Sequence, residues 1–402
     1  MSAPLKVLWH WFAMGPYHFA RMSAIAAQPG IDLTVVETTS NDDHGWGRAA
    51  EQLPFRLITL SAEMLSASTH GKTANDFARV LREIQPDVLV ASGYAEPHSR
   101  HAVLEYSREF PRTSVLLWSE TTSFDNRRSF FAEKIKGSIV QAFDGAIVAG
   151  TPHIRYLHNL GMSQDVIERV GGCVDNGYFS RSSDAARAQS ATRPIGSSYF
   201  LYVGRFIPVK NLYTLIRGYH LYRVMTSGTA HHLVLVGSGP EEGALRQLAD
   251  ELHVDGVHFE GVRQIDELPS YYAHASAFVL PSWSEPWGLV VNEAMASGLP
   301  VIASTAVGSA EDLILPGETG LLFDPKKPAE LASCFEQIAK QPALASRMGS
   351  AAQTQVDFVS LDKYAMKAVN HMRALHERCR QRQTHSIALL PRAFSAVERW
   401  VH

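Results

Sequence analysis

The sequence predicts an α/β protein built from two doubly wound, mostly parallel sheets. Short runs rich in Val, Leu and Ile alternate with helix-like stretches along both halves of the chain. A polar stretch over residues 180–198 separates the halves and is interpreted as a linker. A length of 402 residues also suits two domains of ordinary size better than a single core.

Six apolar runs in the first half are predicted to be buried strands. Each is short and continuously apolar, as in a parallel sheet covered on both faces. The predicted strands are 5–11, 32–38, 55–61, 87–92, 114–120 and 145–150. The helices predicted between and after them are 19–27, 73–83, 98–109, 130–143 and 153–160.

The same alternation restarts after the polar stretch. The strands predicted there are 199–204, 232–237, 257–260, 277–281 and 300–304, and the helices are 212–224, 241–252, 266–274 and 291–297. The predicted domains are 1–190, with a returning C-terminal helix over 379–402, and 191–378. Ligands of such folds usually bind in a cleft at the carboxyl ends of the strands.

Charge and composition exclude several classes of function. A net charge of −3 gives no field that favours nucleic acid. The three cysteines share no close spacing, so neither a metal site nor a disulfide framework is expected, and a reducing cytoplasmic setting fits. No run of about 18 apolar residues occurs, which leaves only peripheral contact with a membrane open.

The most informative segment lies between a predicted strand and a predicted helix, at residues 284–302. Glu285 falls in the loop after the strand, and Glu293 falls in the first turns of the helix. Gly288 lets backbone approach a ligand closely, and the helix start offers free N–H groups to a phosphate. Two carboxylates beside an anion site make sense if they bind hydroxyls. The alternative is that acidic residues simply favour the helix dipole.

This segment resembles the Glu-x7-Glu motif of retaining glycosyltransferases of the GT-B fold, in the large family four. Further segments resemble the same family in the same order: 203–211 (VGRFIPVKN), 233–240 (LVLVGSGP), 259–263 (FEGVR), 308–312 (GSAED) and 317–323 (GETGLLF). The resemblance covers roughly residues 199–330. It implies two Rossmann-like domains facing across a cleft. It also implies transfer of a hexose-type sugar from a nucleotide-diphosphate donor, UDP being favoured, without a bound metal or cofactor.

The resemblance implies a role for each matching residue near the transferred sugar and the diphosphate. Arg205 and Lys210 would neutralise the departing diphosphate, on which negative charge develops. Glu285 would hold hydroxyls of the sugar. Backbone N–H groups of Gly288 and Leu289 would bind the phosphates.

Other matching residues would surround the nucleoside. Glu293 would bind the ribose, and Val262 and Arg263 would lie beside the base. Gly237 and Gly239 would form a tight turn near the nucleotide.

The first half of the chain resembles the family less closely. Gly15 and His18 fall where the first strand turns into the first helix, the usual place of a glycine loop near the donor phosphate. His18 is either catalytic or a structural residue of the helix start. Glu120 stands where the family commonly carries a histidine that reaches the donor sugar. It either contacts the donor sugar or the acceptor hydroxyl, or pairs with Arg127 or Arg128 and shapes its loop.

The acceptor is not identified by these motifs; a saccharide, a lipid-linked glycan or a small metabolite would each fit. A basic helix with Lys134 and Lys136 is either a solvated surface or a contact with the inner face of a membrane. Two other functions remain open. One is a pseudo-glycosyltransferase or nucleotide-sugar epimerase of the same fold, and the other is a non-catalytic sugar-nucleotide-binding protein. A dehydrogenase is disfavoured because no Gly-x-Gly-x-x-Gly follows the first strand.

Overall fold

Both halves of the chain form parallel β-sheets in the computed structural model of the protein, as the alternating pattern predicts. The structure describes residues 3–40, 52–62, 67–93, 97–123, 129–189, 194–196, 198–227 and 230–381. Arg127, Arg128 and the segment 382–402 therefore lie outside the described residues.

The first sheet and its helices form the N-terminal unit. Its strands are β1 (Leu5–Trp11), β2 (Ile31–Thr39), β3 (Arg56–Ser61), β4 (Val88–Ser92), β5 (Ser114–Ser119), β6 (Gly145–Val148) and β7 (Ile167–Arg169). Its helices are α1 (Pro16–Ala26), α2 (Ala67–Ile84), α3 (Pro97–Glu109), α4 (Phe130–Val140) and α5 (Thr151–Asn159). The strand order is β3-β2-β1-β4-β5-β6-β7. Strand β7 was not predicted, because a run of three residues carries no periodic signal.

Helix α6 (Asn176–Ala188) follows, and the second sheet with its helices then forms the C-terminal unit. The strands are β8 (Tyr199–Val203), β9 (His232–Val236), β10 (Val257–Gly261), β11 (Ala277–Leu280), β12 (Val301–Ser304) and β13 (Gly320–Phe323). The helices are α7 (Leu212–Met225), α8 (Glu242–Glu251), α9 (Leu268–His274), α10 (Leu289–Ala296), α11 (Ala310–Leu313), α12 (Pro328–Lys340) and α13 (Pro342–Val356). The strand order is β10-β9-β8-β11-β12-β13.

The strand order reverses once in each sheet, between β1 and β4 and between β8 and β11. Loops that leave neighbouring strands in opposite directions open a crevice at the carboxyl edge of the sheet. The loop after β1 contains Gly15, the loop after β8 contains Arg205, and the loop after β11 contains Glu285. The topology thus brings three segments singled out in the sequence to the two crevices.

Helix α6 corrects the prediction of a linker over 180–198. The carboxylate of Asp175 caps the helix, and the side chains of Phe179 and Ser183, one turn apart, are buried. The helix packs against α9 and α10 of the C-terminal unit. The prediction failed because the buried face consists of one aromatic ring and small polar side chains, which resemble a solvated stretch in composition.

The chain returns to the N-terminal unit through helix α14 (Leu361–Gln381). This helix packs against α1, β5 and β7 and buries Tyr364, Ala368 and Met372. The returning segment thus begins at Leu361, earlier than the predicted 379. Among the described residues, no helix is both long and apolar enough to cross a membrane.

Candidate functional site

The loop that carries Glu285 is fixed by backbone contacts with the loop after β12. Glu285 N donates to Ala306 O at 3.1 Å, and Gly308 N donates to Glu285 O at 2.8 Å. A Cβ atom on residue 308 would lie 1.8 Å from Pro286 O, so this approach requires glycine. Ser282 Oγ donates to Glu285 Oε2 at 3.3 Å. The carboxylate is therefore held in one place, with the residue 9% exposed.

Lys210 meets Glu285 in a direct ion pair between Nζ and Oε2. The turn that ends at Lys210 is held by buried Asn211, whose Nδ2 donates to Pro281 O and Pro325 O, both at 3.0 Å. Asn211 adopts a left-handed conformation, with φ of 58°. Lys210, predicted to bind the diphosphate, and Glu285, predicted to bind the sugar, therefore contact each other.

Arg205 lies at the same edge of the sheet. Its side chain is exposed, and its backbone oxygen accepts a hydrogen bond from Tyr202 OH at 3.0 Å. Burial raises the pKa of Tyr202 well above its usual value, the negative charge of Glu285 raises it further, and the positive charge of Arg205 lowers it. Arg205 and Glu285 thus act in opposite directions on one buried phenol.

Gly237 and Gly239 pack the loop after β9 against the loop after β8. A Cβ atom on Gly237 would lie 1.9 Å from Gly204 O, and one on Gly239 would lie 2.4 Å from Phe206 O. Phe206 N also donates to Ser238 O at 2.8 Å. Close packing of two loops accounts for both glycines, and their contact with a nucleotide stays a prediction.

Helix α10 begins directly beside Glu285. Gly288 is its N-cap and Leu289 its first residue, and the first backbone bond of the helix runs from Val291 N to Gly288 O at 2.9 Å. The N–H groups of Leu289 and Val290 precede that bond, as the orphan donors of a helix start do. Such donors and the positive end of the helix dipole suit an anion.

Glu293, one turn further along α10, is 1% exposed. Tyr17 OH donates to its Oε1 at 2.6 Å, and Tyr272 OH donates to its Oε2 at 2.8 Å. Burial raises the pKa of the carboxyl to about 7, against the lowering effect of the two hydroxyl donors. The predicted ribose ligand is thus enclosed, and one of its partners comes from the N-terminal unit.

Gly15 and His18 form the start of α1, where Gly15 N donates to His18 Nδ1 at 3.0 Å. The imidazole packs against the Trp11 ring at 4.3 Å between centroids. Burial, and then the positive charge of Arg21, lower the pKa of His18 to about 3. His18 is therefore neutral near pH 7, and because Nδ1 accepts, Nε2 carries the proton. This capping contact supports the structural interpretation of His18.

Glu120 follows β5 directly, so the predicted strand 114–120 ends one residue early. Its side chain is 38% exposed, and Oε1 lies 3.9 Å from Nη1 of Arg21. Arg21 itself is buried on α1; its Nε donates to Cys173 O at 3.1 Å, and its guanidinium lies 5.7 Å from the Tyr364 ring centroid. The partner of Glu120 that the structure describes is therefore Arg21 on α1. Arg127 and Arg128, the partners considered from the sequence, lie outside the described residues.

Val262 and Arg263 follow β10, the edge strand of the second sheet. Val262 is 61% exposed. The Arg263 side chain is held by Tyr271 OH, at 2.7 Å from Nε, and by Glu260 Oε2, at 3.2 Å from Nη2. Both residues lie at the carboxyl edge that carries the other candidates, but among the contacts of the described residues none joins them to Glu285.

The sequence interpretation did not assign Tyr17, Arg21 or Tyr272. Tyr17 lies within the segment singled out around Gly15. Its place directly after Pro16, at a helix start, is the sequence feature that could have marked it as a site residue. Arg21 and Tyr272 fall in predicted helices, and no sequence motif marks either of them as a site residue. In the ranges that the structure describes, no group of three or more His, Cys, Asp or Glu side chains could hold a metal ion.

Comparison with known proteins identifies a family model within the chain and several related proteins. The family model of glycosyl transferases group 1 matches residues 185–355. The D-inositol 3-phosphate glycosyltransferase of Nocardioides sp. is 30% identical over 230 residues, which are 54% of this chain and 50% of that protein. The chain thus spans about half the length of this relative. It spans 38% of the D-inositol 3-phosphate glycosyltransferase of Pseudarthrobacter chlorophenolicus and 40% of that of Arthrobacter sp..

A second comparison covers both units. The sucrose-phosphate synthase of Thermosynechococcus elongatus superposes with a TM-score of 0.73 at 22% identity, over 93% of this chain and all (100%) of that one. Anabaena HepE in complex with UDP and glucose superposes with a TM-score of 0.70 at 17% identity, over 92% and 100%. These similarities establish the GT-B fold that the motifs implied.

The sequence relationship also extends beyond one unit. The D-inositol 3-phosphate glycosyltransferase of Corynebacterium glutamicum is 30% identical over 315 residues, which are 75% of this chain and 73% of that protein. With the family model and the fold, this similarity shows that the chain belongs to the group 1 glycosyltransferases.

Proposed function

We propose that the chain is a retaining glycosyltransferase that moves a hexose from a UDP-linked donor to an acceptor hydroxyl without a bound metal ion. The observation that carries the proposal is the Lys210–Glu285 pair beside the start of α10. The cation can bind a diphosphate, the carboxylate can accept hydrogen bonds from sugar hydroxyls, and the helix N-terminus can bind phosphate oxygens. All three lie in one cluster of loops.

In the proposed reaction, the bond between the anomeric carbon and the β-phosphate oxygen breaks, and its electron pair leaves with the diphosphate. The acceptor oxygen forms the new bond to that carbon, and its proton leaves with the diphosphate. Arg205, Lys210 and the N–H groups at the start of α10 would stabilise the departing charge. Glu285 would accept hydrogen bonds from the sugar hydroxyls, and Glu293 would bind the ribose.

Structural neighbours support the choice of UDP. Anabaena HepE, with the same fold, was solved with UDP and with UDP-glucose. The assignment to this chain rests on that similarity and on the anion-binding features of the loops after β8 and β11.

Calorimetric titration with UDP and UDP-glucose in excess EDTA tests both the donor and the independence from metal. We expect both ligands to bind, because basic side chains and a helix N-terminus supply the positive charge. We also expect UDP-glucose to release UDP slowly, with water taking the glucosyl group in place of the acceptor. Binding or release that returns only with Mg²⁺ or Mn²⁺ would contradict metal independence. Failure of both ligands to bind in either condition would overturn the proposed function.

We further propose that Glu120 contacts the donor sugar or the acceptor hydroxyl, with Arg21 as its positioning residue. Glu120→Gln keeps the size of the side chain but removes its charge. We expect kcat to fall at least about tenfold, or roughly 1.4 kcal/mol in the barrier, with an unchanged melting temperature. Glu109→Gln is the matched control, since Glu109 pairs with Arg82 at 2.8 Å on an exposed surface. A Glu120 variant that melts earlier but keeps its kcat would assign the residue to loop structure instead.

A further inference from the structure

The Glu293 carboxylate is enclosed by two tyrosine side chains. Its two oxygens accept separate hydrogen bonds, from Tyr17 OH at 2.6 Å and from Tyr272 OH at 2.8 Å, and the residue is 1% exposed. A carboxylate has about four lone-pair sites, so further hydrogen bonds are chemically available. Enclosure, and not a lack of acceptor capacity, therefore keeps a ligand away from Glu293.

The two tyrosines differ in how firmly they are held. Tyr272 belongs to α9 in the same unit as Glu293, is fully buried, and packs against the rings of Phe179 and Phe278 at centroid distances of 6.0 Å each. Tyr17 is only half-buried and belongs to α1 of the other unit. Displacing Tyr272 would disrupt the interior of that core, whereas Tyr17 packs against the same core from the other unit, so displacing it separates a contact between the units.

We propose that Tyr17 OH occupies, in the donor-free protein, the position at Glu293 Oε1 that a ribose hydroxyl takes when the nucleotide binds. This inference rests on the proposed function, in which Glu293 is the ribose ligand. A phenol and a ribose hydroxyl each donate one O–H to the same oxygen, so the exchange conserves the number of hydrogen bonds. Tyr17 thereby couples the contact between the units to the occupancy of the ribose position, and donor binding releases it.

Competition of this kind lowers the apparent affinity for the nucleotide. Only the fraction of molecules in which Tyr17 has left Glu293 can accept a ribose, and the measured Kd increases as that fraction falls. A hydrogen bond to a charged acceptor is strong enough to make the released fraction a minor one. Removal of the Tyr17 hydroxyl should therefore tighten nucleotide binding, unlike the usual effect of losing a polar group near a ligand.

Calorimetry on the full chain with UDP and with 2′,3′-dideoxy-UDP, at pH 8.5 and in EDTA, tests the inference. At this pH the Glu293 carboxyl, with a pKa of about 7, is ionised. We expect Tyr17→Phe to bind UDP about tenfold more tightly than the wild type, with no gain for the dideoxy ligand, which has no hydroxyl to offer Glu293.

Tyr272→Phe is the matched control, because it also removes one phenol donor from Glu293 but is not exchanged for ribose. We expect it to leave UDP affinity unchanged or weaker. Unchanged or weaker UDP binding by Tyr17→Phe, or an equal gain for both ligands, would overturn the inference while leaving the proposed function intact. If neither the wild type nor Tyr17→Phe binds UDP, the proposed function fails and the inference fails with it.

Discussion

Replacing Glu285 by glutamine is expected to lower kcat about a hundredfold while nucleoside diphosphate affinity stays within about threefold. The carboxylate is rigidly held in the loop after β11, so its charge is preorganised for the transferred sugar, and loss of such a group typically costs about 10²–10³ in kcat. Glutamine keeps the shape but offers one acceptor oxygen in place of two. Lys210 loses its ion-pair partner and remains available for the diphosphate.

The measurement is the rate of UDP release from UDP-glucose with water as the acceptor of the glucosyl group, together with UDP titration by calorimetry. Glu330→Gln is the matched control, since Glu330 also pairs with a lysine, Lys327, at 2.8 Å but on an exposed surface of α12. Wild-type turnover in the Glu285 variant would remove this residue from the reaction. A large loss of UDP affinity with normal turnover would assign Glu285 to the nucleotide instead of the sugar.

Most strands of the two sheets could be predicted from the sequence, most readily those that are buried on both faces. Every residue of β6, β8, β11 and β12 is buried. Such strands appear as short continuous apolar runs, and the predicted bounds differ from the observed ones by only one or two residues at most ends. Helix α6 escaped the same reasoning because it buries Phe179 and Ser183 among polar neighbours, without an apolar stripe.

The motifs named candidate site residues one by one but not the contacts between them. Lys210 and Glu285 were each assigned from a motif, but they are 75 positions apart, and only the neighbouring placement of β8 and β11 brings them together. One of the two interpretations of Glu120 paired it with Arg127 or Arg128, which are close in sequence, whereas the partner that the structure describes, Arg21, comes from α1. Contacts between sheet edges depend on strand order, which local patterns do not encode.

The contact between the units was beyond sequence reasoning for a different reason. Tyr17 and Glu293 are 276 positions apart and belong to separate sheets. Nothing in either segment indicates how the two units lie against each other. The motif around Gly15 pointed to the correct loop, but the functional expectation fell on its glycine and histidine and not on the tyrosine between them.

Replacing Lys210 by alanine is expected to weaken the binding of UDP and UDP-glucose together, by roughly ten- to a hundredfold. A charge-assisted contact with phosphate contributes about 1.5–3 kcal/mol, and both ligands carry the same diphosphate. The structure offers a competing explanation, in which Lys210 only neutralises the largely buried Glu285. In that case the variant would melt earlier and lose turnover, because Glu285 would be left unpaired, but it would keep its affinity for UDP.

Calorimetry with UDP separates the two explanations, because UDP carries the diphosphate but lacks the sugar that Glu285 would hold. Lys327→Ala is the matched control, as it removes a lysine from an exposed pair with Glu330 and should leave UDP affinity unchanged. The double variant Lys210→Ala with Glu285→Gln sharpens the comparison. If Lys210 contacts the diphosphate, the double variant should bind UDP as weakly as Lys210→Ala alone, since neutral glutamine cannot replace the lost positive charge. Wild-type affinity for UDP in Lys210→Ala would remove Lys210 from the phosphate site and leave Arg205 and the start of α10 to hold the diphosphate.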